Sequence, residues 1–212
     1  MTAPSGRDIV LGRVRAALSG ADSGPVEVPR NYEQASPDAG TPALLRLFAQ
    51  RLGGYDARVH HTEHTAEAIS RVLHSHGYTR IAIPPGFDDS SLPDSGFHWV
   101  RDEPQLTPEQ LAGVDAVVTA AGVAVADSGT VVLDGGPGQG RRVLSLLPDA
   151  MVVVVRAEQV VANLPAAVAR LDARRPMTFI SGPSATVDVE LVRVEGVHGP
   201  RTLDVVITGA AH

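Results

Sequence analysis

The sequence predicts an α/β protein with a Rossmann-like, mostly parallel sheet, helices on both of its faces and an N-terminal helical arm. Three observations carry that reading. From Thr41 onward, short β-branched runs alternate with segments of helical apolar spacing, the pattern of parallel strands joined by crossover helices. Met151–Val155 is apolar without a break, as strands covered on both faces are. Aromatic residues make up only 4% of the 212 residues, so the core must be built from Val, Leu, Ile and Ala.

The elements follow in order. Ser5 can cap a first helix that carries Ile9, Val10, Val14, Ala17 and Leu18 at helical spacing and stops at Gly20. Residues 20–40 are rich in Gly, Pro, Ser and Asp and read as linker, so 1–40 is expected as arm and linker and 41–212 as the α/β domain. Thr41-Pro42 is a cap followed by proline at the first helical position; Leu44, Leu45, Phe48 and Leu52 share a face, and Gly53-Gly54 ends the helix. A strand near Arg58–His60 precedes a helix over Ala66–His76, closed by Gly77. Strands are expected at Arg80–Ile83 and Phe97–Val100, and Thr107-Pro108-Glu109-Gln110 opens a short helix. Ala116–Thr119, Val123–Ala126 and Gly129–Leu133 are closely spaced β runs, which suggests a local antiparallel excursion. Gly-rich residues 135–140 lead into a short helix through Leu147. After Met151–Val155, the spacing of Val160, Val161, Leu164, Val168 and Leu171 predicts one long amphipathic helix over Ala157–Leu171. Met177–Ser181, Leu191–Val194 and Leu203–Thr208 complete the strands.

Composition narrows the function classes. A formal charge of −6 gives no footprint for nucleic acid. The absence of cysteine excludes disulfides, thiol catalysis, Cys-ligated zinc and a Cys-held iron–sulphur cluster in this chain. Arg7, Asp8, Arg13 and Arg15 interrupt the N-terminal apolar residues, unlike a signal peptide, and no stretch approaches the roughly 18 apolar residues of a membrane span. The expected location is the cytoplasm.

Four segments can carry chemistry. In Asp134–Arg142, a Gly-rich turn after a strand brings backbone N–H groups near Arg141 and Arg142, which suits a carboxylate or phosphate; a turn with two surface arginines explains it equally well. It lacks the Gly-Lys-Ser/Thr of a Walker loop. Ser181–Glu190 follows a strand, and ligands of open α/β sheets sit beyond the carboxyl ends of strands. There Gly182 allows a tight turn, Ser184 and Thr186 supply hydroxyls, and Asp188 and Glu190 form a carboxylate pair able to divide acid and base roles; capping and solvation are the alternative. His198, between glycine-containing turns, can donate to an anion or shuttle a proton, or can be structural. Asp127, Ser128, Gly129 and Thr130 lie among small residues that let a ligand or another backbone approach closely. No metal site is expected: His60 and His64 are four apart, but in a strand-to-helix connection, where helical ligand geometry is lost.

Taken together, Asp115–Thr119, Ala126–Leu133, Arg141-Arg142 with Ser145–Asp149, Gly182–Glu190 and Gly196–Pro200 resemble the LUD-domain family, and within it the lactate-utilisation C type. The resemblance covers about residues 41–212. It implies a fold similar to that of ribose-phosphate isomerases, glucosamine-phosphate isomerases and CoA transferases. It also implies a part in oxidation of L-lactate to pyruvate together with two iron–sulphur partner proteins. This chain departs from the family pattern twice: Asp127 stands where the family usually has Glu, retracting the carboxylate by roughly 1.5 Å, and Ala185 stands where a basic residue is usual.

The expected function is therefore a non-redox subunit of a lactate-oxidising system, without a cofactor of its own. Arg141 or Arg142 would pair with a small anionic ligand, Gly129 and Thr130 would supply backbone and hydroxyl donors, and His198 would orient it or exchange protons. Two other readings stay open: a stand-alone enzyme acting on a CoA ester or phosphorylated small molecule through Asp188 or Glu190, and a non-catalytic sensing or assembly module.

Overall fold

The computed structural model describes residues 5–20, 24–25, 27–32, 34–186, 194–195 and 198–209. The chain divides into two compact units, Met1–Glu33 and Gln34–His212. The first contains α1 (Gly6–Leu18), opened by a reciprocal cap in which Ser5 Oγ accepts from Asp8 N–H and the Asp8 carboxylate accepts from Ser5 N–H.

The second unit begins with α2 (Pro42–Gly53), where Thr41 Oγ1 accepts from Leu44 N–H and proline fills the first turn. Then follow β1 (Arg58–Thr62), α3 (Thr65–His76), β2 (Arg80–Ile83), β3 (His98–Arg101) and α4 (Pro108–Ala112). The strand-dense region comprises β4 (Ala116–Ala120), β5 (Val123–Val125), β6 (Thr130–Leu133), β7 (Ala150–Arg156) and β8 (Val160–Val161). After α5 (Leu164–Val168) come β9 (Thr178–Ile180), β10 (Ala185–Thr186), β11 (Val194–Glu195) and β12 (Thr202–Thr208).

Six strands form an all-parallel sheet in the order β1-β12-β7-β4-β2-β3. The period of two divides each central strand between two cores. On one face Ile81, Ile83, Val118, Val152, Val154 and Val206 pack against Ile69, Val72 and Leu73 of α3. On the other, Val117, Met151, Val153, Val155, Val205 and Ile207 meet Leu45, Phe48 and Leu52 of α2 and Leu111 of α4. Each fully buried Val, Leu or Ile contributes about 1.5–3 kcal/mol. The α/β class and the mostly parallel sheet expected from the sequence are both present.

Helices share the second face with a further sheet, which the sequence did not suggest as a separate layer. Its order is β8-β5-β6-β9, with β5 antiparallel to β6, β6 antiparallel to β9, and β8 parallel to β5. Ala124, Val131 and Leu133 of this sheet enter the same core as α2.

Two local expectations need correction, and a third falls largely outside the described residues. The long helix over Ala157–Leu171 does not form: Val160 and Val161 instead pair with Ala124 and Val125, and only Leu164–Val168 is α-helical. Asn163 caps that short helix by accepting from Ala166 N–H, and Pro165 fits its first turn but would break a helix already under way. The valines are β-branched and serve the second sheet, so their helical spacing was coincidental. The helix through Leu147 reduces to a 3-10 turn at Arg142–Ser145, in which Leu144 N–H donates to the Arg141 carbonyl and which Leu146, with φ of −121°, ends. Of the strand expected at Leu191–Val194, residues 191–193 lie outside the described residues, and Val194 pairs with Thr186.

Candidate functional site

Three segments of the C-terminal half converge on a cavity of about 190 Å³. Its floor is formed by Met151 and Leu203, each the second residue of a central parallel strand. The walls come from the 3-10 turn (Arg142, Ser145), from β9 and the residues after it (Thr178, Ser181, Gly182, Ser184), and from His198–Pro200. The cavity thus lies at the amino-terminal ends of β7 and β12. The sequence argument placed Ser181–Ser184 beyond the carboxyl end of a parallel strand. That argument does not apply here, because β9 runs antiparallel to β6 in the second sheet.

Each wall has an identifiable local cause. Arg142 Nη1 donates to Thr178 Oγ1 at 2.8 Å, tying the turn to β9. Ser145 Oγ donates to the Arg142 carbonyl at 2.9 Å. Ser184 N–H donates to the Pro200 carbonyl at 2.7 Å, and Ser184 Oγ accepts from His198 N–H at 3.0 Å, so this serine fastens the histidine loop to the wall. The His198 side is exposed. Gly182 allows a close backbone approach, since a Cβ there would stand 2.6 Å from Tyr55 Cβ.

The two arginines part company. Arg142 lines the cavity, and among the described residues it makes no ion pair. Arg141 turns to Asp102, just beyond the carboxyl end of β3: its Nε and Nη2 donate to the two carboxylate oxygens at 2.8 Å each, and Nη2 also reaches the Leu106 carbonyl. Asp102 is only 3% exposed. Burial pushes its carboxyl up, but hydrogen bonds from Arg141 and Leu106 N–H, with the guanidinium charge, outweigh that and hold it below the ordinary value. The same hydrogen bond raises Arg141. With its fork engaged by a buried carboxylate, Arg141 is a structural group, and the expectation that either arginine could meet a ligand narrows to Arg142.

The remaining candidates are distributed as follows. Thr130 is buried, and its Oγ1 lies 2.7 Å from Ser128 Oγ and 2.8 Å from Ser181 Oγ, which joins the β5–β6 turn to the cavity wall. Gly129 has φ of 61° and is wedged against α2: a Cβ would stand 2.7 Å from that of Arg51, so its role is packing. Asp127 is exposed on the same turn and does not line the cavity. Thr186 belongs to the β10–β11 pair. Asp188 and Glu190 lie outside the described residues.

Among the described residues, no group of His, Asp and Glu is arranged to hold a metal ion. His60 turns instead toward Asp204, with its Nε2 2.8 Å from Oδ1. Arg58 donates to the same carboxylate through Nε and Nη2, and His76 Nε2 approaches to 3.4 Å. Burial pushes Asp204 up, but hydrogen bonds from His60 and Arg58 and their charges hold it below the usual carboxylate range. Among the described residues no helix is long and apolar enough to cross a membrane.

Sequence reasoning did not single out Thr178 or Asp102, and it named Ser181 only as the boundary between the Met177–Ser181 and Ser181–Glu190 segments, without a role. From its apolar residues Met177–Ser181 reads as a buried strand; β9 instead lies at the edge of the second sheet with Phe179 half exposed, and nothing local announces that. Asp102 sits in Arg101-Asp102-Glu103, which locally resembles any solvated charged run.

Comparisons with known proteins converge on one family. The LUD domain profile matches residues 64–208. Lactate utilization protein C of Deinococcus radiodurans is 41% identical over 170 residues, which span 78% of this chain and 80% of that protein. Lactate utilization protein C of Shouchella clausii is 35% identical over 109 residues, 48% of this chain and 47% of the relative. A crystal structure of a DUF162 family protein from Deinococcus radiodurans matches with a TM-score of 0.69 and 33% identity, covering 82% of this chain and 100% of that one.

Proposed function

The chain belongs to the LUD domain family, and from that premise we propose that it serves lactate utilisation as a non-redox subunit in the oxidation of L-lactate to pyruvate, working beside iron–sulphur proteins in the cytoplasm. Its contribution is a site for a small carboxylate at the cavity bounded by Arg142, Thr178, Ser181, Ser184 and His198. The observation that carries this reading is Arg142: it lies in the wall of a small cavity, held by one neutral hydroxyl at 2.8 Å. A guanidinium so placed keeps donors for a carboxylate, and a charge-assisted hydrogen bond of that kind contributes about 1.5–3 kcal/mol.

Size supports a small acid over a thioester. The cavity, at about 190 Å³, is below the roughly 300–1,000 Å³ of pockets that enclose drug-sized ligands. The electrons of lactate oxidation would pass to a partner's cofactor, because the sequence holds no cysteine and no residue set that accepts them.

Two measurements test the proposal. Affinity purification of the intact chain from cells grown on L-lactate should bring down iron–sulphur proteins, and calorimetric titration should show L-lactate or pyruvate binding that Arg142→Ala weakens roughly 10- to 150-fold. Undiminished growth on L-lactate after deletion of the gene, with no second copy present, would overturn it.

A further inference from the structure

We infer that the hydrogen bond between Arg142 and Thr178 is a partition that sets the size of the acid accepted. Beyond it lies a second cavity suited to the apolar tail of a longer 2-hydroxy acid. The inference rests on the small-carboxylate reading of the first cavity and adds what limits its ligand.

The second cavity has a volume of about 340 Å³, and Leu133, Pro176 and Met177 give it apolar walls. It shares Arg142, Ser145 and Thr178 with the first. Chain order shows where one cavity gives way to the other. Along β9 and its approach, Pro176 and Met177 line only the second of the two, Thr178 lines both, and Phe179 and Ile180 line only the first. Along the facing turn, Gly140 and Arg141 line only the second, Arg142 and Ser145 line both, and Leu146 lines only the first. The boundary therefore passes through Thr178 on one wall and Arg142 on the other. Arg142 Nη1 donates to Thr178 Oγ1 across it at 2.8 Å.

Strand register agrees. Thr178 pairs with Leu133, so the two side chains leave the second sheet on one face, which Ile180 shares two residues further on. Leu133 belongs to the second cavity and Ile180 to the first, with Thr178 where they meet. Ser145 is buried and donates to the Arg142 carbonyl, which fixes the turn from which the guanidinium reaches out. Among the described residues the bond to Thr178 is the only hydrogen bond of that guanidinium.

The two cavities differ in chemistry. In the first, Arg142 supplies the charge that a carboxylate needs. The second adds apolar surface, and Arg141 in its wall already has its fork engaged by Asp102. An acid held by Arg142 can send a tail into the second cavity only if Arg142 and Thr178 part. While they are joined, the acid is confined to about 190 Å³. Thr178 is thus a specificity-determining residue: its hydroxyl anchors the cation and closes the way past it.

Calorimetric titration of the full chain with sodium L-lactate and sodium 2-hydroxyoctanoate tests this. The unaltered chain should prefer L-lactate. Thr178→Ala should weaken L-lactate roughly two- to tenfold, through loss of one neutral hydrogen bond on Arg142. It should strengthen 2-hydroxyoctanoate, since each methylene entering the second cavity adds roughly fourfold. The ratio of the two dissociation constants should therefore move roughly tenfold or more toward the longer acid. Thr178→Ser keeps the hydroxyl and should leave the ratio near that of the unaltered chain. Both substitutions remove the β-branch, so a merely structural role for Thr178 would move the two variants alike, and that outcome overturns the partition. An unchanged ratio in Thr178→Ala also overturns it, as does an unaltered chain that binds both acids equally. If Arg142→Ala weakens L-lactate in the same series while the ratio stays fixed in Thr178→Ala, the carboxylate site stands and only the partition falls. If the unaltered chain binds neither acid, both fall together.

Discussion

Arg141 and Arg142 are neighbours in sequence and opposite in use. Arg141 closes on a carboxylate that is 3% exposed at the carboxyl end of β3. Arg142 reaches one threonine hydroxyl in a cavity at the amino ends of β7 and β12. The first region is satisfied within the chain; the second keeps donors facing an open space. An α/β sheet is usually searched at the carboxyl ends of its strands. Here the Gly-rich turn over that end, with the Gly138 carbonyl accepting from Ala120 N–H and Gly138 N–H donating to the Pro85 carbonyl, is sewn to the strands beneath it. The candidate site has formed where the second sheet leaves room. Position in the fold class is a weaker guide than which polar groups still lack a partner of opposite charge.

Substitution breaks the comparison most sharply at Arg141. Arg141→Ala leaves Asp102 buried without its cation, which should destabilise the protein by about 3–5 kcal/mol. Thermal unfolding would show this as a fall of roughly 10 °C or more in Tm, and any ligand affinity should survive at temperatures where the variant is folded. Acid should attack the buried paired carboxylates, Asp102 here and Asp204 beside Arg58 and His60. Asp102 and Asp204 both titrate below the ordinary value of 3.8 in the folded protein. Their stabilisation is therefore complete above the unfolded-state pKa and lost as pH falls below it through the folded one. Urea unfolding between pH 5 and 2 should show stability dropping by up to about 1.4 kcal/mol per pH unit for each such group, and Asp102→Asn should flatten the slope.

The cavity should behave in the contrary way. Arg142→Ala is expected to change stability by no more than about 0.5 kcal/mol. Its effect belongs in titration with L-lactate, where the loss of about 1.5–3 kcal/mol corresponds to roughly 10- to 150-fold weaker binding. The smallest effect is expected from Ser184→Ala, which removes the acceptor for His198 N–H. A loss of about 1 kcal/mol in stability, with little change in affinity, would mark Ser184 as a fastener of the rim rather than a ligand contact. A large loss of affinity with unchanged stability would reverse that assignment.

How much of this was legible in the sequence depends on how local each cause is. The Thr41-Pro42 cap, the Gly77 stop and the β7 valine run are explained by their immediate neighbours, and all three stand where the sequence placed them. Val160 and Val161 are explained by pairing with Ala124 and Val125, more than thirty residues away, and helical spacing misled there. Of the site, the segments containing Arg142, Ser184 and His198 were found because glycine and proline mark sharp turns between strands. What could not be read was the division of labour between adjacent arginines, since Asp102 lies 39 residues before Arg141 and nothing local announces it. The lactate-utilisation resemblance supplied the family from the order of several motifs, which no single motif could have done.

The floor of the cavity has a further consequence. Met151 and Leu203 face each other across the β7–β12 ladder, and both strands are flanked by others in the main sheet. Such a surface cannot recede to admit a longer guest as a loop would. Chain length of the acid would therefore be judged against an unyielding base, and each methylene beyond the fitted length should be disfavoured by about 1–3 kcal/mol. Shortening the base by Met151→Ala would lengthen the acceptable guest without altering the groups that hold its charged end.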